Sequence, residues 1–210
     1  MTSDRTHPCP GPFPGSTADR TVREESWYGR VLSDRHVHTG HTFSGTDWTE
    51  VVNRGAVFDG CVFTGVRFNG SRHTGAVFTD CVFHRCAFFD VGFTDCTLRG
   101  STFHRSTFTL LEVVRGDWSS VGLPGADLRG ASLCDVGMSR ADLTGARLED
   151  AVVRGTDLSG AVLHGARLEG ADLRGSELPV LDPAAVRLTG ARIDAVQAAA
   201  VAESLGLRIR

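Results

Sequence analysis

"ADLTGARLEDAVVRGTDLSGAVLHGARLEGADLRG" (Ala141–Gly175) writes one five-residue pattern seven times. Each unit has a small residue, a variable one, Leu or Val, a polar residue, and then most often Gly. A helix repeats every 3.6 residues and a strand every two, so neither explains a count of five. Two inward residues separated by one outward residue make a three-residue piece of strand. The remaining two residues must turn the chain, and Gly does so without steric penalty. Each five is therefore one short edge and one corner.

The same frame extends outward from this stretch. Centred on Phe43 and stepped by five to Leu178, it runs for 28 units without insertion. The centre is apolar in 26 of them, the exceptions being Asn53 and His73. The residue two before it is small or β-branched in 26, the exceptions being His41 and Leu111, and Gly sits two after it in 15. Longer echoes fix the size of the coil: "GAVFDGCVFT" (55–64) returns as "GAVFTDCVFH" (75–84), and "GARLEDA" (145–151) as "GARLEGA" (165–171). Both echoes return after four fives, so the coil is a square. Seven coils at about 4.8 Å each give a rod of about 34 Å. Its interior, lined by Phe and then Leu ladders, holds only its own side chains. No cleft remains for a substrate, and no enzyme is expected.

Composition narrows the class further. The chain has 210 residues and a formal net charge of −3, which excludes a strongly basic nucleic-acid surface. No apolar run approaches the ~18 residues of a membrane span, and the first residues lack the apolar core of a leader peptide. A soluble, cytoplasmic protein without cofactor or metal is expected. Six Cys occur without a C-x-x-C pair; Cys61, Cys81, Cys86 and Cys96 read as small inward fillers. Asn53 and His73 lie one coil apart on one face and are expected to hydrogen-bond each other. Outward His84, His104 and His164 lack a nearby carboxylate for metal binding. The irregular stretch 109–125, with Leu111 in a small position and Gly116 beside Trp118, predicts a bulge or a bend.

The flanks define the organisation. Residues 1–26, with Pro at 8, 10, 12 and 14, read as a disordered tail. Residues 27–40 read as a lead-in, 41–193 as the array, and 194–210 as a C-terminal cap. Asp194 and Gln197 form a capping box, Gly206 is a helix stop, and Ala198, Val201, Ala202 and Leu205 share one helical face. Leu207 and Ile209 then alternate with Arg, as in a short strand. A helix this short is marginal alone, so this stripe with Leu207 and Ile209 is expected to cap the last coil and to join two copies.

Sorting outward residues by face places most acidity on two opposite faces. The face centred on Phe58 carries Asp59, Asp80, Asp117, Asp157 and Glu177 against Arg99 and Arg140. The face centred on Trp48 carries Asp127, Glu149, Asp150 and Glu169, with Asp47, Glu50 and Asp90, against five Arg.

The motif A-(D/N)-L-x-x, explicit at Ala126-Asp127-Leu128, Ala141-Asp142-Leu143 and Ala171-Asp172-Leu173, resembles that of the pentapeptide-repeat family. The resemblance implies an all-β solenoid, a right-handed quadrilateral β-helix, here closed by a short C-terminal helix. An unbroken array ending in such a helix is similar to the gyrase-protecting MfpA and Qnr type, and the absence of inserted loops brings it nearer to MfpA. That resemblance implies a homodimer through the C-terminal module that imitates B-form DNA and does not itself bind nucleic acid. It further implies binding to DNA gyrase or topoisomerase IV, and protection from quinolone-like or natural-product inhibitors, as resistance or self-immunity. Asp59, Asp80, Asp117, Asp157 and Glu177 on one face, and Asp127, Glu149, Asp150 and Glu169 on the other, would then face the partner. The rival reading is a structural or scaffolding repeat protein that binds another protein.

Overall fold

The structure is a computed structural model that describes residues 20–181, 184–204 and 206–208. Short strands stack coil upon coil in parallel, and the register between neighbouring coils is a step of four fives. Phe43 pairs with Phe63, Phe63 with Phe83, and Phe83 with Phe103. The same step continues through the second half as single bridges, such as Asp117 to Gly137 and Gly137 to Asp157. The faces are named below for their leading centres, Phe43, Trp48, Asn53 and Phe58.

The fifth residue of each unit makes the corner. From Gly40 to Gly175 it sits in the left-handed region throughout, at Gly125 (φ 66°) as at Asp80 (φ 50°) or Arg85 (φ 55°). This is why the sequence favours Gly there, since a side chain costs about 1–2 kcal/mol in that region.

Two corner chemistries occur. In one, the centre carbonyl accepts the amide three residues on, as Leu123 does from Ala126 at 3.1 Å. With positive φ at the second corner residue this is a type II turn. In the other, the chain stays extended and the carbonyl lacks that partner. At several of these corners a small side chain from the next coil supplies one: Cys81 Sγ donates to Phe58 O at 3.4 Å, Cys86 Sγ to Phe63 O at 3.3 Å, and Ser101 Oγ to Phe78 O at 2.7 Å. Thr156 and Ser176 do the same for Leu133 and Val153. Buried backbone acceptors need partners, so Cys, Ser and Thr at the small inward position are hydrogen-bonding residues as well as fillers.

Inside, rings stack on rings. Phe43, Phe63, Phe83 and Phe103 lie 4.6–4.9 Å apart and within 8° of parallel. Trp27 stacks on Trp48, and His73 on Phe93. The second half replaces the rings with buried leucines, among them Leu128, Leu143, Leu148 and Leu168.

The array begins earlier than the uninterrupted frame. Thr21–Arg23 pairs with Thr42–Ser44, and Val31–Ser33 with Val52–Arg54, each one position beyond the step of four fives. Val37 pairs with Val57 at the regular step, so one extra residue sits in the corner between Ser33 and Val37. The turn closes through His36 N to Ser33 O at 2.9 Å. Residues 21–40 therefore form a further coil within the stretches read as tail and lead-in. Residues 1–19 of the expected tail lie outside the described residues.

Two local expectations are corrected. Asn53 and His73 do not bond each other: Asn53 Oδ1 accepts the Ala56 amide at 3.0 Å, and His73 Nε2 meets Ser71 Oγ at 3.0 Å. Burial then lowers the His73 imidazole to about 3, which keeps it neutral. Nor does the stretch 109–125 bulge, because Cys96 pairs with Gly116 and Glu112 with Ser132 in unbroken register. Leu111 is accommodated inside, and Leu110 turns outward at the corner.

Helix α1 (Ala195–Ser204) closes the C-terminal end. Asp194 Oδ1 accepts the Val196 and Gln197 amides at 2.9 Å, while Gln197 Oε1 accepts the Asp194 amide at 2.8 Å. This is the expected capping box, with an additional role. Gln197 Nε2 donates at 2.7 Å to the carbonyls of Leu173 and Ser176, and Asp194 Oδ2 accepts the Gly175 amide. The box thus satisfies edge groups of the last coil, groups that would otherwise template aggregation. Gly206 (φ 82°) ends the helix, with Leu207 N bonded to Ala202 O and Gly206 N to Glu203 O, a Schellman motif. Leu207 and Arg208 form no strand, and Leu205 and Ile209 lie outside the described residues.

The closest backbone approach in the rod gives a test. A Cβ on Gly116 (φ 106°) would fall 2.1 Å from the Cys96 carbonyl oxygen, whereas one on Gly125 would meet nothing within 4 Å. Gly125→Ala should cost about 1 kcal/mol, and Gly116→Ala several times that in urea denaturation. Equal losses would refute the close approach.

Candidate functional site

The outer faces offer long surfaces for recognition, and their aspartates have a backbone function first. An Asp just before the centre accepts the amide two residues on. Asp117 takes Ser119 N at 3.0 Å, Asp142 takes Thr144 N at 3.0 Å, and Asp157 takes Ser159 N at 2.8 Å. The D/N of the repeat motif is thus a turn cap, since Asx side chains bond the backbone two residues on. Partial burial pushes the Asp117 carboxyl upward, but the Ser119 hydroxyl and amide with Arg99 outweigh it and leave it below the usual range.

The two acidic faces differ once arginines are placed. On the Trp48 face an arginine ladder interleaves the acids. Asp127 holds Arg129 at 2.7 Å and faces Arg147 at 3.6 Å; Glu149 binds Arg167 at 2.9 Å; Glu169 faces Arg167 and Arg187 at 3.8 Å. The Glu149 side chain is only 13% exposed beneath these guanidinium groups. Of the four site candidates on this face, only Asp150 is outside the described ion pairs. The number of arginines per face follows from the sequence; their register with the acids follows from the stacking of the coils.

On the Phe58 face, Asp59, Asp80, Asp157 and Glu177 join no ion pair among the described residues, and Asp117 meets Arg99 only at 3.9 Å. Asp157 and Glu177 are directly stacked on successive coils. Asp59, Asp80 and Glu177 are exposed, Asp117 and Asp157 half-buried. The structure thus concentrates unneutralised carboxylate on one face.

At the C-terminal end, the face of α1 that meets the last coil is Gln197 with Val201, and Ala202 is half-buried. Ala198, expected in the apolar stripe, is exposed. Val196 (81% exposed), Val180 (86%) and Leu207 (60%) are exposed apolar residues toward the C-terminal end, and of them only Leu207 was expected from the sequence.

Burial raises the Cys86 thiol to about 12 and the Cys96 thiol to about 11, so neither is a nucleophile at neutral pH. Among the described residues no cluster of three His, Cys, Asp or Glu could hold a metal, and no helix is long and apolar enough to cross a membrane.

The repeated corner, the square coil and the A-D-L turn cap define a pentapeptide-repeat solenoid. Residues 123–150 and 141–178 match the pentapeptide-repeat family profile in 8 copies, so this part of the chain carries pentapeptide repeats. No curated protein matches it in sequence. Among solved structures it is similar to trypsin-treated QnrB1, a plasmid-mediated fluoroquinolone resistance protein. That match has 22% identity and a TM-score of 0.51, over 90% of this chain and 99% of that one. Full-length QnrB1 matches at 21% identity and TM-score 0.47, over 89% and 100% of the two chains. HetL of the cyanobacterium Nostoc, a pentapeptide-repeat protein involved in heterocyst differentiation regulation, matches at 19% and 0.35, over 83% and 90%. At these identities the likeness is one of fold.

The turn-cap carboxylates predict a pH dependence. Hydrogen bonding to Arg67 lowers Asp47 to about 2 against the opposing effect of burial, with help from the Thr49 hydroxyl and amide. A depressed carboxylate contributes stability that is full above its ordinary value of about 3.9 and is lost as pH falls through the folded value. Asp47→Asn should therefore be less stable than wild type at pH 7. The gap should close between about pH 4 and pH 2 in a urea-denaturation series, and a constant gap would show that the charge contributes nothing.

Proposed function

We propose that this protein is a non-enzymatic DNA mimic that binds DNA gyrase or topoisomerase IV and shields it from a fluoroquinolone-like or natural-product inhibitor. The observation that carries the proposal is the row of unneutralised carboxylates on the Phe58 face of a rod about 40 Å long. The fold shared with QnrB1 supports it. The contact residues would be Asp59, Asp80, Asp117, Asp157 and Glu177, with Asp150 on the far face. Asp127, Glu149 and Glu169 are already engaged by arginine and contribute less.

Charge density sets the character of the imitation. Duplex DNA carries about 20 phosphates in 34 Å, whereas residues 41–195 hold 19 acids against 15 Arg. Shape and one strip of charge must therefore do more than overall field. The same shortfall favours a second reading, a scaffold for another protein partner.

Gyrase supercoiling with and without fluoroquinolone separates the two. Wild type at micromolar concentration should inhibit supercoiling or rescue it from the drug. Asp117→Asn, Asp157→Asn and Glu177→Gln together keep the turn-cap acceptors, so this variant should fold normally and lose at least tenfold in effect. Undiminished action of the triple variant would remove the Phe58 face from the interface. No action of wild type up to tens of micromolar would overturn the gyrase reading and leave the scaffold.

The proposal includes a homodimer, in which two rods joined at their C-terminal ends span about 80 Å, or some 24 base pairs at ~3.4 Å each. The exposed Val180, Val196 and Leu207 supply apolar surface toward that end for a twofold contact. Sedimentation should give a dimer for wild type and a monomer of unchanged circular dichroism for Val196→Asp. A monomeric wild type at micromolar concentration would sink the dimer.

A further inference from the structure

One corner of the rod carries charges that the chain leaves unanswered. Arg85 and Arg105 occupy the fifth position on successive coils at the end of the Phe43 face, with φ of 55° and 53°. His84 and His104 precede them and pair in register, and Arg85 N donates to His104 O at 2.9 Å. Four basic side chains thus form a two-by-two grid with a coil spacing of about 4.8 Å. His84 is half-buried and the other three are exposed.

The fold contains its own control for this arrangement. On another corner the fifth positions of successive coils are Asp95 and Arg115, in the same left-handed conformation (φ 53° and 57°). There the side chains close into a bidentate pair at 2.6 and 2.8 Å. The backbone therefore brings side chains at this position, one coil apart, within direct contact. At Arg85 and Arg105 the same geometry stacks like charges, which destabilises by itself.

Nothing nearby neutralises them. The corner positions one coil below and above are Gly65 and Gly125. Ala87 and Thr107 follow on the next face, and the Asp80 carboxylate packs over Gly100 at the opposite edge. Arg67 is bound to Asp47, and Asp127 to Arg129. Neither Arg85, Arg105, His84 nor His104 joins an ion pair among the described residues.

We propose that His84, Arg85, His104 and Arg105 form a binding site for a phosphate group. Two guanidinium groups bring two positive charges, and the imidazole rings add hydrogen-bonding nitrogens beside them. A dianion with three or more acceptor oxygens matches that charge and can reach donors on both coils. A carboxylate is a poorer match, since the single guanidinium of Arg115 already engages both oxygens of Asp95. The site lies on the edge between the Phe43 and Trp48 faces, diagonally across from the edge where the Asn53 and Phe58 faces meet, and is independent of the proposed gyrase contact.

The test is an NMR titration of the histidine ring signals with inorganic phosphate, phosphoserine, acetate and sodium chloride at matched ionic strength. Phosphate or phosphoserine should shift the His84 and His104 resonances saturably in the low millimolar range, at least tenfold more effectively than acetate. Tighter binding of phosphoserine assigns the site to a monoester on a larger molecule, and tighter binding of phosphate to the free ion. Arg85→Gly with Arg105→Gly places at both corners the residue found above and below, so it should fold and lose the saturable response. Equal shifts with chloride or acetate, or an undiminished response in the double variant, would overturn the proposal.

Discussion

Every feature of this molecule depends on one constraint: backbone amides and carbonyls along each edge point up and down the rod and bond the neighbouring coil, four fives away. That ladder holds only if each coil has the same perimeter. The perimeter holds only if a left-handed corner recurs with every five, and the corner at Asp80 or Leu110 adopts it as faithfully as the one at Gly125. The ladder also decides which small residues go inside. Where a corner is a type II turn, Ala suffices in the coil above, as Ala146 does above Leu123. At several corners of the other kind, Cys81, Ser101 or Thr156 supplies a donor to the carbonyl below.

The frame, the square coil and the capping box at Asp194 and Gln197 were legible because each depends on local spacing. What escaped the sequence depended on one added residue or on side-chain reach. The extra residue between Ser33 and Val37 shifts the phase of the first coil, so a strict count of five stops at Phe43 although Val22, Trp27 and Leu32 are centres too. Asn53 and His73 are one coil apart, yet each finds a nearer partner along its own chain. The acids of the two faces look alike as a list. Only the register of Arg147 and Arg167 against Glu149 and Glu169 shows that one face is largely neutralised. The stripe on α1 followed apolar periodicity and overlooked that polar Gln197 is the residue turned inward, because the edge below it offers carbonyls.

The repeat's aspartates carry two meanings at once. Asp117 and Asp157 are acidic surface, and both are also turn caps that hold a backbone amide just beyond them. A pentapeptide-repeat rod therefore acquires negative charge as a by-product of its turns. The informative departure is where that charge is cancelled, as on the Trp48 face, or left standing, as on the Phe58 face.

The extra residue between Ser33 and Val37 is absorbed inside a single corner, and the register above it is untouched. Larger changes of length have no such outlet, and their arithmetic is strict. Gaining or losing four fives together adds or removes one storey and leaves every face in line. Gaining or losing a single five preserves the core pattern but rotates everything beyond it by a quarter turn, splitting the carboxylate row of the Phe58 face between two sides. Viable length variants of this chain are therefore quantised by the surface rather than by the core.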